Sequence, residues 1–305
     1  IDLGFEPQWL LVKNTSAARP WIMLDTMRGT TVGTSNAGSD EFLLANASDA
    51  EDTDSYLSIN STGFQLRDIG GNVNASNENY IYMAIRRGPL AQPESGTEVF
   101  EVFETTNTGT ASTIGSMGPS DFILNKRTDA AATWRALDRL RGGSMLRTDS
   151  TDTETSSGFL EWDKMGGVFV TAAGAPYITN DAQAHWLWKR APGFCDVVAY
   201  TGDGVGGRTV SHNLGVAPEM MWVKSRTEAR NWHVWHSSFS SAANDFLYLD
   251  STMATETTVP NMWGTGLHTD TDFIVGAYNG VNRASQNYIA YLFATVPGVS
   301  KVGSF

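Results

Sequence analysis

One cysteine, ten prolines and no long apolar run are what this 305-residue sequence has least of. A single Cys195 excludes an intrachain disulfide and a metal site built from several thiolates. The fold must therefore hold by packing alone, which suits assembly in a reducing cytoplasm. Cys195 is followed by Asp196-Val197-Val198 and reads as a strand residue, not as a reactive thiolate. No stretch approaches the roughly 18 apolar residues that a membrane span needs, and no signal-peptide pattern is visible. Basic residues are also scarce, 21 against 33 acidic ones, for a formal net charge of -12. A broadly negative field repels phosphate backbones and anionic lipid surfaces, so neither nucleic acid nor membrane is an expected partner. The charge itself reads as a solubility feature.

What the chain does contain is turn-rich and aromatic. Only 18% of residues are charged, while Thr, Ser, Gly, Asn and Asp abound beside ten Trp and fourteen Phe. Three segments share one spine. The first holds Lys13, Trp21, Asp25 and Arg28-Gly29; the second Lys126, Trp134, Asp138 and Arg141-Gly142; the third Lys224, Trp232 and His236 at the Asp position. In each the Trp follows the Lys by eight residues and the Asp or His by twelve. The likeness continues through Asn46–Glu51, Asp149–Glu154 and Asp250–Thr255. A short apolar strand follows (Phe64–Leu66, Phe169-Val170, Phe273–Val275), then a Gly/Asn-rich turn. An aromatic strand closes each segment (Tyr80–Ile85, His185–Trp188, Tyr288–Phe293), and a proline soon follows (Pro89, Pro192, Pro297). After each proline comes one further strand-like match: Gly96–Phe103, Gly193–Tyr200 and Gly298–Phe305. Self-similarity at this period marks duplication.

Strand signals dominate, and the segments from Trp134 and from Trp232 both read as strands. Seven or eight short strands per unit predict an all-β chain of three tandem β-sandwich repeats of jelly-roll type. The expected division is 1–92, 93–192 and 193–297. Residues 298–305 then open a following unit in a longer array, or supply the strand that the first unit lacks, closing a ring or a swapped oligomer.

Several segments resemble a known family. Tyr200–Gly204, Gly215–Lys224, Tyr248–Asp250, Tyr288–Phe293 and Ser300–Ser304 look like repeats in the virion structural and tail-fibre proteins of tailed phages, marine ones especially. Gly4–Trp9 and Asn79–Tyr82 carry the likeness in the first unit. The resemblance implies a place in the virion, with sibling chains or other virion proteins as partners in a homo-oligomer. It implies no biochemical activity. His236 at the Asp position and an insertion around Thr30–Asp40 depart from the shared pattern.

Catalytic signatures are weak. No Gly-x-Ser-x-Gly elbow is present, and Gly202–Gly207 lacks the Lys-Ser/Thr of a phosphate loop and reads as a hairpin turn. His233 and His236 lie three apart on a strand, facing opposite sides, so a surface or capping role is expected and not shared metal ligation. His185, His212 and His268 have no evident partners. The acidic loops Asp49–Asp54 and Asp149–Glu154 lack the EF-hand glycine and distal Glu, and read as solvated. No spacing selects a carboxylate pair for glycoside cleavage. The recurrent Lys–Asp spacing predicts an ion pair bridging two strands, and the recurrent Trp predicts packing in or over each core. Neither cofactor nor enzymatic activity is expected. The alternative to a structural role is recognition of a host-surface glycan by Trp235, Trp263 and Tyr278 in turn-rich segments, with core packing the competing role for each. A polysaccharide depolymerase is the third option.

Overall fold

The computed structural model describes residues 1–30, 40–67, 70–86, 91–106, 111–156, 160–162, 167–170 and 181–305. Pro89, Asn107–Gly109 and the core of the insertion at 31–39 lie outside the described residues.

Alternating apolar residues between turn-formers produce short antiparallel strands throughout. The first third holds β1 (Pro7–Asn14), β2 (Trp21–Asp25), β3 (Asp40–Leu44), β4 (Asp52–Asp54), β5 (Leu57–Asn60), β6 (Gly63–Leu66) and β7 (Tyr80–Arg86). The second holds β8 (Phe100–Thr106), β9 (Ser112–Ile114), β10 (Phe122–Arg127), β11 (Arg135–Asp138), β12 (Ser144–Leu146), β13 (Thr155–Ser156), β14 (Leu160–Glu161), β15 (Val168–Val170) and β16 (Ala182–Trp188). The third holds β17 (Cys195–Thr201), β18 (Arg208–Ser211), β19 (Met220–Ser225), β20 (His233–His236), β21 (Leu247–Tyr248), β22 (Asp272–Val275) and β23 (Asn287–Phe293), with one helical turn α1 (Asn279–Asn282).

Three large sheets result: β4-β3-β2-β1-β7, then β13-β12-β11-β10-β16-β8, then β21-β20-β19-β23-β17. Their ladders coincide residue for residue. Lys13 faces Trp21 and Ile81 in the first sheet, Lys126 faces Ala184 in the second, and Lys224 faces Ile289 in the third. Met23 opposes Leu43, Ala136 opposes Leu146 and Val234 opposes Leu247. A small sheet covers one face of each large one: β5-β6, β14-β15-β9 and β18-β22. In the first, Ile1–Leu3 run beside β6 where β9 and β18 run in the others, with Phe64 N–H donating to Ile1 O at 3.0 Å.

Each large sheet thus has an inner face and an outer face. The inner face of the third carries Val198, Tyr200, Met221, Val223, Tyr288, Ala290 and Leu292 against Val210, Phe273 and Val275 of the small sheet. Ile123, Leu137 and Leu187 do the same against Ile114, Val168 and Val170. Burying such a side chain contributes about 1.5–3 kcal/mol. The outer faces of the second and third sheets pack against each other. Phe122, Ala136, Leu140 and Leu146 meet Trp232, Ile289 and Tyr291 in one cluster, and the Phe122 and Tyr291 rings lie 4.3 Å apart. With β5 of the first unit also lying against β17, both faces of β17 and β23 are buried, and their sequences are near-continuous apolar runs. No helix among the described residues is long and apolar enough to cross a membrane.

Three local expectations need correction. The opening strands align two residues away from the match seen in the sequence: Phe103 faces His185 in the place where Val198 faces Ala290, so Phe103 corresponds to Val198 and not Tyr200. A two-residue slip keeps every side chain on its own face, which is why the apolar pattern did not expose it. Residues Gly96–Glu98 form a 3-10 turn ahead of that strand. Gly202–Gly207 is not a hairpin turn, because β17 and β18 belong to different sheets; the loop carries the chain from the large sheet to the small one. Asn282 holds it, exchanging hydrogen bonds with Asp203 N–H and Asp203 Oδ1, each at 3.0 Å.

Candidate functional site

The recurrent Lys and Trp share the outer face, because eight residues through this hairpin oppose them directly. Lys126 lies over the Trp134 ring at 5.6 Å. The Trp backbone N–H has one repeated acceptor: Asn46 Oδ1 for Trp21 (2.8 Å), Asp149 Oδ2 for Trp134 (3.2 Å) and Asp250 Oδ1 for Trp232 (3.1 Å). The Lys–Asp pair is not formed. Asp25 faces Trp9 at the far end of the ladder from Lys13, about 13 Å away at the rise of a strand. Asp25 and Asp138 instead cap the following turn and bind the Arg three residues on, Arg28 at 2.7 Å and Arg141 at 2.5 Å. The Asp-x-x-Arg-Gly string in the first two spines was the readable signal for this cap. His236 keeps the role by accepting from Ser238 N–H at 3.1 Å.

Burial of these landmarks follows what covers the outer face. Trp232 is fully buried and donates to Arg147 O at 2.7 Å, whereas Trp21 and Trp134 are half-buried. Lys224 is buried between the second and third sheets, donating to Thr151 O (3.2 Å) and Ser225 O (3.1 Å). Burial lowers its pKa from 10.5 to about 8, although Asp250 and Asp152 oppose the shift. Between those two values the unfolded chain holds a proton that the native chain does not, so stability rises with pH through the window. Urea titrations from pH 7.5 to 10.5 should show wild type gaining roughly 2–3 kcal/mol relative to Lys224→Met.

Where the two outer faces diverge, a cleft of about 640 Å³ opens, lined by Leu124, Trp134, Asp149, Trp222, Asp250 and Ser251 among others. Leu124 and Trp222 hold matching positions of β10 and β19, and Asp149 and Asp250 matching positions of the two loops. The cleft is therefore built symmetrically from two sheets. Burial holds the Asp250 carboxyl above its ordinary pKa.

The aromatics selected from the sequence lie elsewhere. Trp235 and Trp263 are 5% and 1% exposed in the third sandwich core, donating to Ala242 O and Asp245 O, and offer no ring face to a sugar. Tyr278 is half-buried, edge-on to His233. Turn-rich sequence suggested exposure, but loops that cap a sandwich fold inward over its open end. His233 and His236 are likewise buried, not on the surface, since β20 is covered on both sides. Cys195 is a buried strand residue. No group of three or more His, Cys, Asp or Glu that could hold a metal ion occurs among the described residues.

The first sheet differs from the others in what is left open. Its outer face carries Trp9, Leu11, Trp21 and Met23, all half-buried, and Ile81, Met83 and Ile85, each about half exposed. The matching faces of the other two sheets meet over Phe122, Ala136, Leu146, Trp232, Ile289 and Tyr291, while Leu124, Trp134 and Trp222 stay half-buried at the cleft and Val102 of β8 is 54% exposed.

Fold and site together define an all-β protein of packed antiparallel sandwiches with an open apolar sheet face and an inter-sheet cleft. The chain belongs to the family described as a domain of unknown function (DUF7483), whose model matches residues 1–89 and 95–305. No curated protein and no solved structure matches it.

Proposed function

We propose that the chain is a structural component of a tailed-phage particle, made of three copies of one sandwich divided near residues 92, 192 and 297, which acts through assembly and not catalysis. The observation that carries this reading is the open outer face of the first sheet. The same face is apolar in all three sheets, and the second and third bury the centre of theirs against each other around Phe122, Trp232 and Tyr291. An uncovered apolar face of this kind marks a protein–protein contact. The Trp, Lys and Asn/Asp landmarks, held in one register, support the ancestral copying, and the phage resemblance supports the location. Such a chain is assembled in the host cytoplasm and leaves with the particle. Antibody raised against it should decorate purified particles of a phage that encodes it. Particles that carry no label, with the chain left in the lysate supernatant, would refute the reading.

The cleft favours a second reading, recognition of a host-surface glycan. Trp134 and Trp222 supply aromatic faces, while Asp149, Asp250 and Ser251 supply acceptors of the kind that bind sugar hydroxyls. A glycan array should give a saturable signal that Trp222→Ala lowers at least ~10-fold, the loss of one stacking contact of about 1.4 kcal/mol or more. An unchanged signal in that variant would remove the cleft as the site.

A further inference from the structure

The cleft between the second and third outer faces is built from two unlike halves that carry the same chemistry. Asp149 and Asp250 head matching loops, and each accepts the backbone N–H of the Trp in its own spine, at 3.2 Å from Trp134 and 3.1 Å from Trp232. Each unit thus supplies one carboxylate. Each also supplies one indole, but from a different position. Trp134 gives the first. Its counterpart Trp232 is fully buried, with Nε1–H on Arg147 O, and does not line the cleft. Trp222 gives the second, from the place in β19 that Leu124 holds in β10.

Both indoles are held in place by the protein itself. Trp222 donates Nε1–H to Met220 Sδ at 3.3 Å, and its ring lies 4.9 Å from that of Phe293. The Trp134 ring lies 5.3 Å from that of Trp186, with the Lys126 ammonium over it. The charged residues that line the cleft, Asp149 and Asp250, are both acidic. The nearby cations are committed elsewhere. Lys126 Nζ donates to Ala132 O, Lys224 Nζ is buried on Thr151 O and Ser225 O, and Arg147 pairs with Asp152 at 3.1 Å. An anionic ligand would shed its water only to meet two carboxylates, in a chain of net charge -12. A hydroxyl-bearing ligand meets acceptors instead, because a carboxylate oxygen that already takes one N–H has a lone pair to spare.

We propose, resting on the glycan reading of the cleft, that it binds an uncharged oligosaccharide across two subsites. One sugar ring lies against Trp134 with its hydroxyls on Asp149, and the next lies against Trp222 with its hydroxyls on Asp250. Sugars that bear a carboxylate, sulfate or phosphate are turned away. The cleft volume of about 640 Å³ falls within the roughly 300–1,000 Å³ of sites that enclose a small ligand, with room beyond a single ring. Walls already fixed by Phe293, Met220 and Trp186 keep the ordering cost of binding low. Because the two halves come from different units, the ligand bridges the second and third sandwiches.

The test is calorimetric titration of the full chain with glucose, galactose, mannose and N-acetylglucosamine oligosaccharides of increasing length, the first three beside their uronate counterparts. In the series that binds, affinity should rise at least ~10-fold from the single sugar to the disaccharide, the gain of a second ring-on-indole contact. It should then level off. The matching uronates should bind at least ~10-fold more weakly, and Asp149→Asn combined with Asp250→Asn should narrow that gap. Trp134→Ala should abolish the gain from the second ring while the single sugar still binds, which also shows that the variant is folded. Equal affinity for single sugar and disaccharide, or uronates bound as tightly as neutral sugars, would overturn the proposal and leave the glycan reading standing. Absence of saturable binding across the whole panel would overturn both.

Discussion

Replacing Arg190 by methionine lowers the free energy of unfolding by about 3–5 kcal/mol. Arg190 is almost wholly buried, and three carboxylates from three parts of the fold converge on it. Glu6, just ahead of β1, takes a bidentate pair at 2.9 and 3.1 Å. Asp121, just ahead of β10, lies 3.6 Å from Nε and accepts the Arg190 backbone N–H at 2.7 Å. Asp196 of β17 lies 3.7 Å away, and Val197 O accepts a further bond at 3.2 Å. The surrounding carboxylates raise the guanidinium pKa above its ordinary value despite burial. Methionine fills the space but leaves buried anions without their shared cation. The loss should appear as a lower urea midpoint with an unchanged slope. Adding Glu6→Gln to the Arg190→Met variant should recover part of it, because one stranded charge is then removed. An Arg190→Met variant within 1 kcal/mol of wild type would show that water reaches these carboxylates.

Acid unfolds the protein through its histidines well before the carboxylates are all protonated. Burial holds His233 at a pKa of about 3, with Lys224 and Arg230 adding to the shift. It holds His185 at about 4 and His268 at about 4, and lowers His212 as well. All are neutral in the native state. Their nitrogens are used as neutral acceptors: His212 Nδ1 takes Leu214 N–H and His268 Nδ1 takes Ile274 N–H, each at 3.1 Å. His233 sits among the rings of Phe246, Tyr248 and Tyr278 at 5.3–5.9 Å, an aromatic setting that disfavours a charged imidazolium. Below pH 6.5 the unfolded chain takes up protons that the native chain refuses. Stability is therefore complete above 6.5 and falls as pH drops toward 4. At pH 4 each of the three strongly shifted histidines costs about 3 kcal/mol, a sum comparable to the roughly 5–15 kcal/mol that holds a typical domain. Circular dichroism across pH 7 to 3.5 should show cooperative loss of structure above pH 4. His233→Leu should shift that midpoint to lower pH. A midpoint that does not move would assign the transition to other groups.

How much of this could be read from residues alone depends on the distance over which each feature is set. The Lys–Trp spacing of eight, the likeness of the segments that begin at Asn46, Asp149 and Asp250, and the aromatic closing strands were legible, whereas the role of those three residues as acceptors for the Trp N–H was not. The cap at Asp25 and Asp138 was present in the string but was assigned to the wrong cation. The cleft was not visible, because Trp134, Trp222, Asp149 and Asp250 meet only when two outer faces pack. The Arg190 cluster was equally hidden, since its carboxylates stand 184, 69 and 6 residues away in sequence.

By itself, then, the chain determined an all-β fold of short, turn-bounded strands. These follow from local rules, since residues a fixed number apart through a turn are opposed wherever the hairpin lies and alternation marks its two faces. Only the tertiary structure decided which outer face is covered. That choice separates a buried Trp232 from a half-exposed Trp21 at the same register position, and a buried Lys224 from a half-buried Lys13. It depends on which sheets come together, and no local pattern encodes the neighbour.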